Sequence, residues 1–308
     1  MSDGVHEFPS DAYVSPPVES AVRPFYWSIR RELWENRSVW MAPLIAAGFF
    51  FLGFIISLIL LPARMDKALL ATIGKQREAV TAPFSVFGML MIVTTFVVGA
   101  FYSLDALNSE RRDRSILFWK SLPVSDRTTV LAKAAIPLLV QPLIAFSLAV
   151  AMHIVTTLLS SIVLLGNTRG LSLYWTHMKF VRLPIAYLYG LTAITLWHAP
   201  IHAWFLLMSA WAKRAAVLWA ILPFLAVAAV EMSLFRTSSV MSALAARVMG
   251  WFRAGFVFPK HSTAAAANPL AYLTPVRLFT TPALWLGLLF AALCIALAVR
   301  LRRNREPM

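Results

Sequence analysis

The sequence predicts an all-α polytopic membrane protein, with six transmembrane helices preceded by an N-terminal interfacial (elbow) helix. Three observations carry this. Hydrophobic residues make up 59% of the 308 and charged residues only 14%, where soluble domains run at about 45–50% and about 25%. The apolar residues gather into six long windows free of charge, and mean hydropathy is +0.71. The 28 Lys and Arg, against 14 Asp and Glu, fall between those windows. Bases placed there suit loops beside anionic lipid headgroups rather than a nucleic-acid surface. This composition excludes a disordered chain and argues against a soluble enzyme. Membrane lipid is an expected partner and nucleic acid is not. The single cysteine, Cys294, lies in an apolar run and can form neither an internal disulfide nor a cysteine-based zinc site.

Residues 1–23 read as a disordered cytoplasmic tail. The first 22 carry four acids, three prolines and no Lys or Arg, and lack the apolar core of a signal peptide. The membrane domain then occupies 24–308. Its first element, 24–38, places Phe25, Ile29 and Leu33 four apart, with Arg30, Arg31, Glu35 and Arg37 over much of the remaining surface. That pattern fits a helix lying in the interface, or an extension of the first span. The spans themselves are expected near 39–61, 83–104, 136–160, 184–208, 215–235 and 282–300, since a crossing needs about 20 apolar residues. The fifth reaches that length only by including Glu231. Pro137 and Pro142 mark an oblique start or a kink in the third.

Orientation follows the distribution of Lys and Arg. The loops on the side of the termini hold 16 of the 28 bases, and the long outer segment 236–281 counts for less in this rule. Both termini are therefore expected in the cytoplasm, with the chain in the cytoplasmic (inner) membrane.

The loop 105–133 is the most informative stretch. Glu110 and Arg114 stand four apart in the favourable order for a helix that continues beyond the membrane. Ile116, Leu117, Phe118 and Trp119 follow, a compact apolar group between Arg114 and Lys120. Such a group in an aqueous loop needs a protein groove or the bilayer, either on this chain's own helix ends or on a partner. Pro123 breaks the helix and Ser125 is placed to cap the next one.

The run Glu110-Arg111, Ser115-Ile116-Leu117, Ser121-Leu122-Pro123-Val124-Ser125 and Lys133 resembles the first cytoplasmic loop of ABC-2 type transporter permeases. The layout of nearly the whole chain is similar as well: the interfacial helix, six spans, and a long outer segment before the last. The resemblance implies a coupling helix near Arg112–Leu122 that docks on a separate ABC ATPase subunit. Ile116, Leu117 and Trp119 would be its buried contacts. Glu110, Arg111, Arg112, Arg114, Ser115 and Lys120 would be polar contacts or local helix pairs, and Leu122, Pro123 and Ser125 would form the turn. It implies ATP and Mg on the partner and no cofactor in this chain. It also implies a second permease copy or a related permease, and short re-entrant or surface helices within 236–281. The chain departs from the family's frequent Gly–Thr pair, having Arg114-Ser115 in its place.

Other candidate residues are sparse. Gly74-Lys75-Gln76 is no ATP site, with Leu69 where a P-loop has its first Gly and Gln76 where it has Ser or Thr. His198 and His202 stand four apart, a spacing that can serve zinc, with His153 or Glu231 as the third ligand. However, no Glu follows His198, and Pro200 intervenes, so hydrogen-bonded buried histidines are the plainer reading. Glu231 is the only acid in a span. It reads either as part of a substrate path with His153, His198 and His202, or as an outer-end residue reaching water or pairing with Arg236. The function expected is the permease subunit of an ATP-driven exporter, a transport subunit rather than an enzyme. The alternatives are a proton-coupled secondary transporter using Glu231, or a non-transporting membrane scaffold.

Overall fold

A computed structural model of the chain describes residues 22–112, 124–257 and 268–304. Residues 1–21 of the predicted tail and the heart of the loop, 113–123, lie outside the described residues, while Val22 and Arg23, assigned to the tail, open the first helix. Arg114, Ser115, Ile116, Leu117, Trp119, Lys120, Leu122 and Pro123 of the expected coupling segment also lie outside the described residues. The described residues are all-α, apart from one isolated antiparallel bridge between Phe256 and Leu273.

Among the described residues, six helical segments are long and apolar enough to cross a membrane: Ser38–Leu58, Ile73–Arg112, Asp126–Gly166, Arg182–Trp211, Ala216–Phe235 and Pro282–Asn304. Each overlaps a predicted span because each holds a long apolar run, whose backbone polar groups only a helix satisfies within lipid; the second and third extend past the predicted bounds at both ends. Ahead of them, α1 (Val22–Glu35) is the amphipathic elbow. Span one is α2 (Ser38–Leu58). A short α3 (Leu61–Leu69) leads to α4 (Ile73–Asp105), which a turn at Ala106 and Leu107 separates from α5 (Asn108–Arg112). The third span is a composite of α6 (Asp126–Ala135), a π-helical turn Ile136–Val140, and α7 (Gln141–Val163). The irregularity expected from Pro137 and Pro142 is this π turn, since a proline cannot donate its share of the ladder.

After α8 (Thr168–His177), the chain forms α9 (Arg182–Trp211), α10 (Ala216–Phe235) and α11 (Ser239–Gly255). A six-residue α12 (Pro275–Thr280) and α13 (Pro282–Asn304) complete it. The segments 62–82 and 166–182 between the spans are built on α3, the start of α4, and α8. Their apolar residues Met65, Val80, Leu173 and Tyr174 form a core with Leu164.

The hub is α9. Of its most apolar window 67% is buried, against 6% for α10. It packs on α13, α4, α10, α11 and α7. Small residues permit this: Ala199 and Ala203 of α9 share one core with Ala291, Cys294 and Ala298 of α13. Close backbone approach through small residues is how helices associate when lipid gives no hydrophobic drive between them. Along α13 the buried positions Leu284, Gly287, Ala291, Cys294, Ala298 and Arg302 alternate by three and four, a single stripe facing the bundle.

Candidate functional site: a buried charge cluster beneath the loop

The two ends of the 113–123 loop rest on a cluster of charged side chains, and the cluster begins on α1. The apolar stripe of α1 runs through Ile29 and Leu33, which pack on the core. Glu32 falls on the same face and is fully buried. Its carboxylate meets the Arg31 guanidinium at 2.8 Å and the Lys133 ammonium at 2.8 Å. It also accepts a hydrogen bond from the Tyr102 hydroxyl at 2.8 Å. Burial pushes the Glu32 carboxyl up, but the Lys133 ammonium and the bonds from Arg31 and Tyr102 outweigh this and hold it below its ordinary value.

Glu110 is the second centre. Its side chain lies 3.1 Å from Lys133 Nζ and 3.2 Å from Arg31 Nη2, and it pairs with Arg302 Nη1 through its other oxygen. Arg302 in turn reaches Asp126 Oδ1 through Nε at 3.0 Å. Among the described residues the cluster joins the bases Arg31, Lys133 and Arg302 to the acids Glu32, Glu110 and Asp126, with the more exposed Glu35 at its edge, 3.6 Å from Arg31. Neighbours of opposite sign limit the desolvation penalty that each charge would carry alone. The cluster joins four places in the chain: the elbow, the end of the second span, the start of the third, and the end of the last. Both described ends of the chain therefore lie on one face.

Beside the cluster, Arg111 Nη2 donates to the carbonyls of Ser209 and Ala212 at 2.6 and 2.8 Å, at the end of α9. The Ser209 hydroxyl accepts from the Leu107 and Asn108 amides at 2.9 and 3.0 Å, closing the turn between α4 and α5. On the far side of the loop, Ser125 caps α6, accepting from the Thr128 amide at 3.1 Å. Of the coupling residues expected from the sequence, Glu110 and Arg111 are buried and bonded within the chain, whereas Arg112 is exposed.

Sequence reasoning missed Glu32, Tyr102, Asp126 and Arg302 as members. The signals were present. Glu32 interrupts an apolar stripe at i+3 from Ile29, and Arg302 continues the three–four spacing of the buried face of α13.

Of the residues expected along a substrate path, only His198 and His202 are brought together. His198 Nε2 bonds the Val248 carbonyl at 2.9 Å, and His202 Nδ1 lies 3.4 Å from the Ser103 hydroxyl. Both line a cavity of about 20 Å³ with Thr95 and Thr195, room for a single water. His153 is elsewhere, between the rings of Phe84 and Phe180 at 4.6 and 5.3 Å. Glu231 does not show the expected pairing with Arg236 among the described residues. Its carboxylate accepts from the Ser239 and Val240 amides at 2.6 and 2.9 Å and from the Thr237 hydroxyl at 2.7 Å, capping the start of α11. No group of three or more metal-ligating side chains forms among the described residues.

No protein-family model, curated protein or solved structure matches the chain.

Proposed function

We propose that this chain is the membrane permease subunit of an ABC-2 type exporter, working with a separate ATPase subunit that carries ATP and Mg. One observation supports the reading above the rest: both feet of the 113–123 loop are fastened, through Glu110 and Asp126, to the elbow helix and to the end of the last span. A force applied to that loop would pass into three spans at once, because buried ion pairs resist separation. A loop that only presented an epitope would need no such fastening.

In this reading the termini and the cluster face the cytoplasm. ATP binding closes the partner ATPase, the loop follows, and α4 with α5 shifts against α6 and α7. A second copy or a related permease completes the transporter. Cargo moves outward along a path between largely apolar helices. The proton-coupled alternative is weakened by Glu231, whose oxygens are engaged as a helix cap.

The test is affinity purification of the tagged chain from mild detergent, comparing wild type with the Ile116→Asp/Trp119→Asp double variant. An ATPase subunit recovered with wild type and lost from the variant, with ATP hydrolysis lost alongside it, supports the permease. Recovery of intact wild-type protein without any ATPase overturns it.

A further inference from the structure

Between α9, α10, α11 and α13 lies a groove of about 740 Å³. Its walls include Trp204, Phe224, Leu225, Met241, Leu286 and Phe290. Among the described residues that line it, Arg247 of α11 alone is charged. The Arg247 guanidinium is held by two contacts. Its Nη1 donates to the Ala283 carbonyl at 3.0 Å, and its Cζ stands 5.2 Å from the Trp197 ring centroid. Its Nη2 is buried and has no hydrogen-bond partner among the described residues. Burial draws this guanidinium below its ordinary value, the mark of a cation short of compensating charge.

Space for the guanidinium is made by Gly287. A Cβ at that position would overlap Arg247 Nη2 and Cζ. The fork is therefore seated in a notch on α13 rather than draped over its surface. The groove also has a direction. Ala283 belongs to the first turn of α13, so the cation lies beside the start of this helix. Phe290 is seven residues further along, roughly 10 Å along the axis at about 1.5 Å per residue. The groove thus has a cationic end beside the start of α13 and apolar walls running along it.

We propose that this groove binds one anionic bilayer lipid, with the headgroup phosphate on Arg247 and an acyl chain against Trp204, Phe224 and Phe290. The planar guanidinium matches a phosphate in charge, and no acidic side chain lines the groove beside it among the described residues. A zwitterionic lipid offers the same chain but brings a compensating cation to the cationic end. This site is independent of the permease reading, since it involves neither the charge cluster nor the loop.

The experiment is competition on the purified full chain in detergent. Phosphatidylglycerol and phosphatidylcholine with identical chains are added in equal amounts, and retained lipid is counted by native mass spectrometry. Wild type is expected to keep one phosphatidylglycerol with a preference of about tenfold or more, the scale of one charge-assisted contact. Arg247→Gln removes the preference, and Gly287→Ala, which displaces the guanidinium without changing charge, reduces it. Arg236→Gln, at an exposed arginine outside the groove, leaves it unchanged. Equal retention of the two lipids by wild type overturns the proposal, a comparison that needs no variant to fold. So does a preference that survives Arg247→Gln, or a second copy of the chain found in place of lipid.

Discussion

Glu110 and Lys133 meet at 3.1 Å across the base of a loop whose two ends they mark, one from the close of the second span and the other from the rise of the third. Each is nearly without solvent, at 5% and 2% exposure. Removing one partner would strand the other charge in a medium that cannot solvate it. Glu110→Gln and Lys133→Met are each expected to destabilise the chain by about 3–5 kcal/mol. The double variant should cost clearly less than the sum of the two. Thermal unfolding of all four proteins in one detergent checks this, and strict additivity would mean that the pair is not coupled.

Glu32 makes the same cluster sensitive to acid. Its carboxyl is held below the ordinary value of 4.5 in the folded chain. The folded state therefore binds its proton less readily than the unfolded state, and stability contributed by this group is complete above the unfolded value. It is lost as pH falls below about 4.5 and through the depressed folded value. Glu32→Gln should flatten that part of the stability–pH curve while lowering stability near neutrality. Unfolding midpoints between pH 3 and 7 report both effects.

Arg236 follows α10 with a φ of 51°, in the left-handed region that suits glycine. An L side chain there carries a strain of about 1 kcal/mol that glycine does not. Arg236→Gly is expected to be more stable than Arg236→Ala by about 1 kcal/mol. Comparing these two variants separates the backbone effect from loss of charge, and an equal midpoint would count against strain at this position.

Gly99 has the opposite sensitivity. A Cβ there would stand 2.7 Å from Gln141 Oε1, 2.9 Å from His202 Cε1 and 3.2 Å from Pro137 Cβ. These neighbours come from two other spans and are themselves buried. Gly99→Ala should destabilise by about 1–3 kcal/mol through overpacking. Unfolding in detergent measures it, and an unchanged midpoint would show that the three helices can part without cost.

The spans were legible because lipid imposes one solution on an apolar run: a helix of sufficient length. The elbow was legible from the spacing of Phe25, Ile29 and Leu33. The charge cluster was only half legible. Glu110 and Lys133 stood out through a family-like motif, whereas their partners Glu32 and Arg302 are 78 and 192 residues from Glu110 in sequence, and Tyr102 joins by bonding Glu32, 70 residues before it. No local pattern joins positions so far apart, and only the packing of α1 and α13 on the same face does so. The reading of Glu231 turned on depth in the membrane. The deciding fact was a turn at Arg236 that brings the amides of α11 back onto its carboxylate, which hydropathy cannot register. The helices between spans were missed because α3 and α8 are short and bury themselves against each other rather than in lipid.

The length of α4 has one further consequence. Its 33 residues reach roughly 50 Å at about 1.5 Å per residue, against a hydrocarbon thickness of about 30 Å. Its far end is anchored beside the charge cluster, so the surplus stands on the opposite face, where its first turns carry Lys75, Gln76, Arg77 and Glu78. There α3 and α8 brace it. Among the described residues these helices form a turret on the face opposite the charge cluster. That turret is a rigid landmark: a tag or antibody fragment fixed to α8 would stand at a set height above the lipid and report which way each reconstituted copy faces.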